Sequence, residues 1–74
     1  MIIITQQENY ITNDLNITWG KHSDSEYRFI NEKAGCIGKY DSEKKAAHVF
    51  QEIINNYNNG ARVYKMPQNE DVQQ

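Results

Sequence analysis

Few residues in this chain have side chains suited to catalysis or metal binding, and their spacing decides what they can do. His22 and His48 are the only histidines and Cys36 is the only cysteine. His22 lies in the polar stretch Lys21 to Glu26, beside Asp24 and Glu26, so a His–Asp–Glu metal or acid–base site is chemically conceivable. The run has no recognised ligand spacing and no cysteine to complete a set, so it reads as a solvated turn. Cys36 would need a neighbouring base to become a nucleophile, and a small cysteine in a strand more often serves as packing. No serine stands in a nucleophile elbow, Gly35 and Gly38 do not open a phosphate-binding helix, and no carboxylate pair has a glycosidase frame. The sequence therefore leads to no catalytic residue, no metal site and no cofactor, and the expected class is non-enzymatic.

Aromatic side chains carry more information. Five Tyr, two Phe and one Trp occur in 74 residues. Some must fill the core, but Tyr and Trp also supply contact area at protein interfaces and under stacked bases. Trp19, Lys21, His22, Tyr27 and Arg28 cluster around one hairpin, where aromatics beside cations could hold a protein or a nucleotide, and these five are the candidate binding residues. The competing assignment makes Trp19 and Tyr27 core residues and leaves Lys21 and Arg28 as solvated charges.

The elements that position these residues follow from periodicity. Ile2 to Thr5 reads as a strand, Glu8-Asn9 as a turn, Tyr10 to Thr12 as a short strand and Asn13-Asp14 as a further turn. Leu15, Ile17 and Trp19 alternate with Asn16 and Thr18, which predicts a half-buried strand ended by Gly20. Lys21 to Glu26 is expected as a turn, Tyr27 to Ile30 as a strand, Asn31 to Gly35 as a turn and Gly35 to Tyr40 as a strand weakened by its glycines.

At Asp41-Ser42 the period changes from two to 3.6. Either residue can cap a helix, and Glu43 places a carboxylate at the positive end of its dipole. The reciprocal capping box is missing because Lys44 and Lys45 occupy its acidic positions. Ala46, Val49, Phe50, Ile53, Ile54 and Tyr57 form one apolar stripe. Lys44, Lys45, His48, Gln51, Glu52 and Asn55 form the opposite face. His48 points about 180° from the stripe's centre, at about 100° per residue. Asn58-Asn59-Gly60 stops the helix, with Gly60 suited to a left-handed cap. Val63 to Pro67 is a short extended return.

These elements predict an α+β domain over residues 1–67: an antiparallel β-meander of four to five strands, covered by one long amphipathic helix and closed by a short extended segment. Residues 68–74 are polar, lack a hydrophobic anchor and are expected to form a disordered tail.

With a net charge of −2 and interspersed signs, the chain is not expected to bind duplex nucleic acid or an anionic membrane surface. The opening MIIIT has neither a basic flank nor a cleavage pattern, and no apolar run approaches transmembrane length. A single unpaired cysteine fits a reducing compartment, so the expected location is the cytoplasm. A chain this small encloses a modest core, which makes a homo-oligomer a reasonable expectation.

The second half carries a resemblance. Gly38 to Glu43, Ala46, Glu52-Ile53, Tyr57 and Val63 to Pro67 resemble a group of small uncharacterised proteins of Gram-positive bacteria and their phages. These motifs are structural (a strand, a cap, an amphipathic helix and a return) and carry no catalytic residue. The resemblance implies a phage or prophage accessory protein acting in the host cytoplasm by binding and blocking a host factor such as a defence component. Two other classes remain open. One is an oligomeric sponge for a nucleotide signal, using Lys21, Arg28, Arg62 and Lys65 on phosphates; the other is a structural or assembly protein.

Overall fold

A computed structural model describes residues 1–9 and 11–72. The chain runs β1 (Ile2–Ile4), β2 (Ile11–Thr12), β3 (Ile17–Ser23), β4 (Glu26–Asn31), β5 (Gly35–Tyr40), α1 (Glu43–Asn58) and β6 (Val63–Lys65), followed by a 3₁₀ turn at Asn69–Asp71. This is the expected α+β class, but its strands divide between two sheets. The meander is confined to β3-β4-β5, and the other sheet has the order β2-β1-β6. In that second sheet β1 and β6 pair in parallel. The extended return after the helix therefore does not prolong the meander; it comes back beside the first strand of the chain. Tyr10, expected within the second strand, lies outside the described residues.

Helix α1 starts and stops where local chemistry dictates. Ser42 is the N-cap, its hydroxyl accepting from the Lys45 N–H at 3.2 Å. Gly60 adopts φ +76°, the left-handed conformation that terminates the helix at little cost. The buried side chains of the helix are Ala46, Val49 and Ile53, and it packs on β4 and β5. A single core joins both sheets to the helix, built from Ile3, Phe29, Ile37, Tyr40, Ala46, Val49, Ile53, Tyr64, Met66 and Val72. Phe29 meets Tyr40 edge-on, with ring centroids 5.7 Å apart and planes at 86°.

One side chain joins the two sheets. The Gln6 N–H donates to the Ile37 carbonyl at 2.9 Å. The Gln6 side-chain amide then imitates a peptide group against β5: Oε1 accepts from the Lys39 N–H at 2.7 Å and Nε2 donates to the Lys39 carbonyl at 3.0 Å. The outer edge of β5 is thereby closed. The opposite edge of this sheet, β3, has no such cover among the described residues.

The third strand differs from its expected bounds. It begins at Ile17 rather than Leu15, passes through Gly20 and continues to Ser23, so the turn shrinks to Asp24-Ser25. The polar residues of Lys21 to Ser23 imitate a turn in the sequence because this end of the strand is exposed on both sides. Pairing with β4, including Gly20 opposite Arg28, holds them extended, with a bulge between Lys21 and Ser23.

The C-terminal segment also departs from expectation over its described part. Residues 68–72 fold back on the domain, and Val72, only 6% exposed, joins the core. Gln68 Nε2 donates to the Gln6 carbonyl at 2.6 Å. Asn69 exchanges two hydrogen bonds with Asp41, each 2.9 Å, and Lys45 Nζ reaches the Asn69 carbonyl at 3.1 Å. One valine supplies the apolar contact that polar composition hides, and the capping loop of α1 supplies the polar contacts. Residues 73 and 74 lie outside the described region.

Candidate functional site

The pleat divides the five candidate binding residues between two faces. Side chains alternate along a strand, so Trp19, Lys21 and Tyr27 share the helix-facing side of the meander while Arg28 faces outward. Trp19 stacks on Phe29 at 6.0 Å between centroids with planes 15° apart, and it meets Phe50 of α1 at 6.1 Å. Trp19 and Tyr27 both pack against the core, as the competing assignment has it. Lys21 is exposed and pairs with Asp24 at 3.1 Å. On the outer face, Arg28 and His22 border an open depression of about 320 Å³ above Gly20, together with Thr18 and Ile30. The depression exists because Gly20 has no side chain, and a Cβ placed there would meet nothing within 4 Å.

The outer face is locally basic although the chain is acidic overall. Arg28 lies opposite Lys39 in the β4–β5 register, so both project outward. Arg28 bonds to Glu26 and holds that carboxyl below the usual carboxylate range, with smaller contributions from Lys39 and His22. The four basic residues considered for phosphates do not converge. Lys21 and Arg28 belong to the meander, whereas Lys65 is on β6, where it pairs with Glu8, and Arg62 directly precedes that strand. Among the described residues, no group of three or more His, Cys, Asp or Glu side chains is placed to hold a metal. Cys36 is half-buried in β5, its Sγ 3.6 Å from the Gly38 carbonyl.

A surface missed by the five-residue reading lies along the β3 edge. The apolar stripe of α1 is wider than the sheet beneath it. Ala46, Val49 and Ile53 are covered, but Phe50 and Ile54 are half-buried and Tyr57 is 56% exposed. With Leu15, Ile17 and Met1 these three side chains line an open apolar trough of about 400 Å³ beside β3. The signal in the sequence is the width of the stripe, which exceeds what covering the sheet requires.

The backbone of β3 contributes to the same place. The Glu32 N–H donates to the Asn16 carbonyl at 3.3 Å, continuing the β3–β4 register by one pair. Hydrogen-bonded pairs alternate along an antiparallel ladder, so Thr18 and Gly20 direct their backbone groups to β4, and Ile17, Trp19 and Lys21 direct theirs to the free edge. The Ile17 N–H is taken by the Leu15 carbonyl at 2.9 Å. The Ile17 carbonyl and both backbone groups of Trp19 and Lys21 remain directed outward.

No protein-family model matches the chain, and neither a curated protein nor a solved structure is significantly similar to it. Among the described residues, no helix is long and apolar enough to cross a membrane.

Proposed function

We propose that this chain is a non-enzymatic binding protein that docks a partner protein through the apolar trough between β3 and α1. The observation that supports this reading is the uncovered half of the helix stripe: Phe50, Ile54 and Tyr57 converge with Leu15 and Ile17 beside a sheet edge that is unpaired among the described residues. Exposed apolar groups gathered into one concave strip are the usual mark of a surface awaiting a partner. The resemblance of the second half to small proteins of Gram-positive bacteria and their phages favours a host protein as that partner, blocked by occupancy, with a defence component as the leading example. Isothermal titration against purified host effectors tests the proposal. An effector that binds the native protein should bind Ile54→Lys at least about tenfold more weakly, because a cation then stands in the trough. Equal affinity for the two proteins, or small-molecule turnover with no protein binding, overturns it.

A further inference from the structure

Two features adjoining the trough specify what can occupy it. Along β3, backbone N–H and C=O groups of Trp19 and Lys21 face the free edge, and their geometric complement is another extended backbone about 4.8 Å away. Residues of such an added strand would alternate between the two faces of the sheet. Those opposite Ile17, Trp19 and Lys21 would face the helix side: the one opposite Ile17 would enter the trough, and the one opposite Trp19 would lie beside the ring that meets Phe50 of the trough wall. The one opposite Gly20 would face outward, where the missing side chain leaves the depression open towards Arg28 and His22. Arg28, bonded to Glu26, and Lys39, its neighbour across the β4–β5 register, put two cations on that face.

Resting on the docking reading above, we infer that β3 receives an extended polypeptide segment whose apolar residues face the helix side, the one opposite Ile17 entering the trough, and alternate with an acidic residue opposite Gly20. The free edge supplies affinity through backbone hydrogen bonds, the trough selects apolar side chains, and the basic outer face selects a carboxylate. A second copy of this chain fits less well. Because α1 packs on β4 and β5, pairing β3 with its symmetry mate would hold the two helices at least about 14 Å apart, three strand spacings, whereas packed helices approach to 8–10 Å. The trough would stay open between them.

The test uses the full chain and three fluorescein-labelled seven-residue peptides: alternating valine and glutamate, alternating valine and lysine, and the first with proline at its centre. The valine–glutamate peptide should bind saturably by anisotropy, and the other two at least about tenfold more weakly. The amides of Trp19 and Lys21 should shift in NMR spectra on binding and become protected from exchange. Gly20→Val, whose Cβ would meet nothing within 4 Å and whose methyls would occupy the depression, should weaken the valine–glutamate peptide by a similar factor, and Arg28→Gln should remove the preference for glutamate over lysine. The inference is overturned if no peptide binds, if the glutamate and lysine peptides bind equally, or if binding leaves the Trp19 and Lys21 amides unchanged. Concentration-dependent dimerisation that protects those amides without peptide overturns it in favour of a second copy. Failure of the peptides while Ile54→Lys still abolishes effector binding removes strand addition alone and leaves the docking surface in place; an Ile54→Lys protein that binds effectors normally removes the docking reading itself.

Discussion

At the scale of single residues, Gly38 and Tyr40 show how closely the core is fitted. Gly38 pairs with Phe29 across the sheet, and a Cβ there would lie 2.8 Å from Met66 Cε and 3.2 Å from the Tyr40 ring. Its glycine is needed for close approach, not for an unusual backbone angle. Gly38→Val should therefore lower stability by about 1–3 kcal/mol in denaturant unfolding, because overpacking displaces both neighbours. A small change would show that Met66 has room to swing aside. Tyr40, 2% exposed, donates its hydroxyl to the Pro67 carbonyl at 2.8 Å, and burial, reinforced by the Glu52 carboxylate, pushes its pKa up. Tyr64 shifts the same way, chiefly from burial and then from its hydrogen bond to Glu52, which accepts its hydroxyl proton at 2.8 Å. Glu52 thus belongs to the packing of α1 on β6, although the helical wheel puts it on the solvated face.

Among the elements, the join between the sheets depends on Gln6. Its amide can donate to the Lys39 and Pro67 carbonyls while accepting from the Lys39 N–H, and a carboxylate can only accept. Gln6→Glu should cost on the order of 1 kcal/mol in denaturant unfolding, because the Lys39 carbonyl loses this donor and the Pro67 carbonyl keeps only the Tyr40 hydroxyl. Gln6→Glu with unchanged stability would mean that the shared core, not the Gln6 amide, holds the two sheets together. Helix α1 is asymmetric in the same sense: its β6 side is finished by Glu52 and Tyr64, while its β3 side ends in bare apolar side chains. Strand β3 has little of the charge or curvature that usually protects an edge; only the bulge near Ser23 and Lys21 at that end supply any.

For the molecule as a whole, the C-terminal segment is held to the helix cap by Asp41, Asn69 and Lys45. The hydrogen bond from Asn69 depresses the Asp41 pKa, Lys45 lowers it further, and Arg28 depresses that of Glu26. A depressed carboxyl contributes stability that is present above its unfolded value, 3.8 for Asp41 and 4.5 for Glu26, and is lost as pH falls through the lower folded value. Acid should therefore loosen the clasp, and the Val72 methyl signals should move towards their unfolded positions below about pH 4. Asp41→Asn removes the group that titrates and should flatten the acid limb of the stability curve; an unaltered limb would assign the acid sensitivity to other carboxyls.

The parts of this protein governed by near neighbours were legible in the sequence. Ser42, the stripe from Ala46 to Tyr57 and Gly60 set the bounds of α1, because capping and amphipathic periodicity act within a few residues. Gly35 to Tyr40 formed a strand at its expected limits for the same reason. Closeness in sequence suggests one site for Trp19 and Arg28, but the β3–β4 register, which sets Trp19 opposite Phe29 and Arg28 opposite Gly20, puts them on opposite faces. Long-range pairings left no local trace. Gln6 reaches Lys39, β6 returns beside β1, and Val72 crosses to the core, each decided by where the folded chain brings distant backbone together. The same holds for the trough: sequence determined that Phe50, Ile54 and Tyr57 share a greasy helix face, and tertiary structure decided, by ending the sheet at β3, that this face would be left without a strand beneath it.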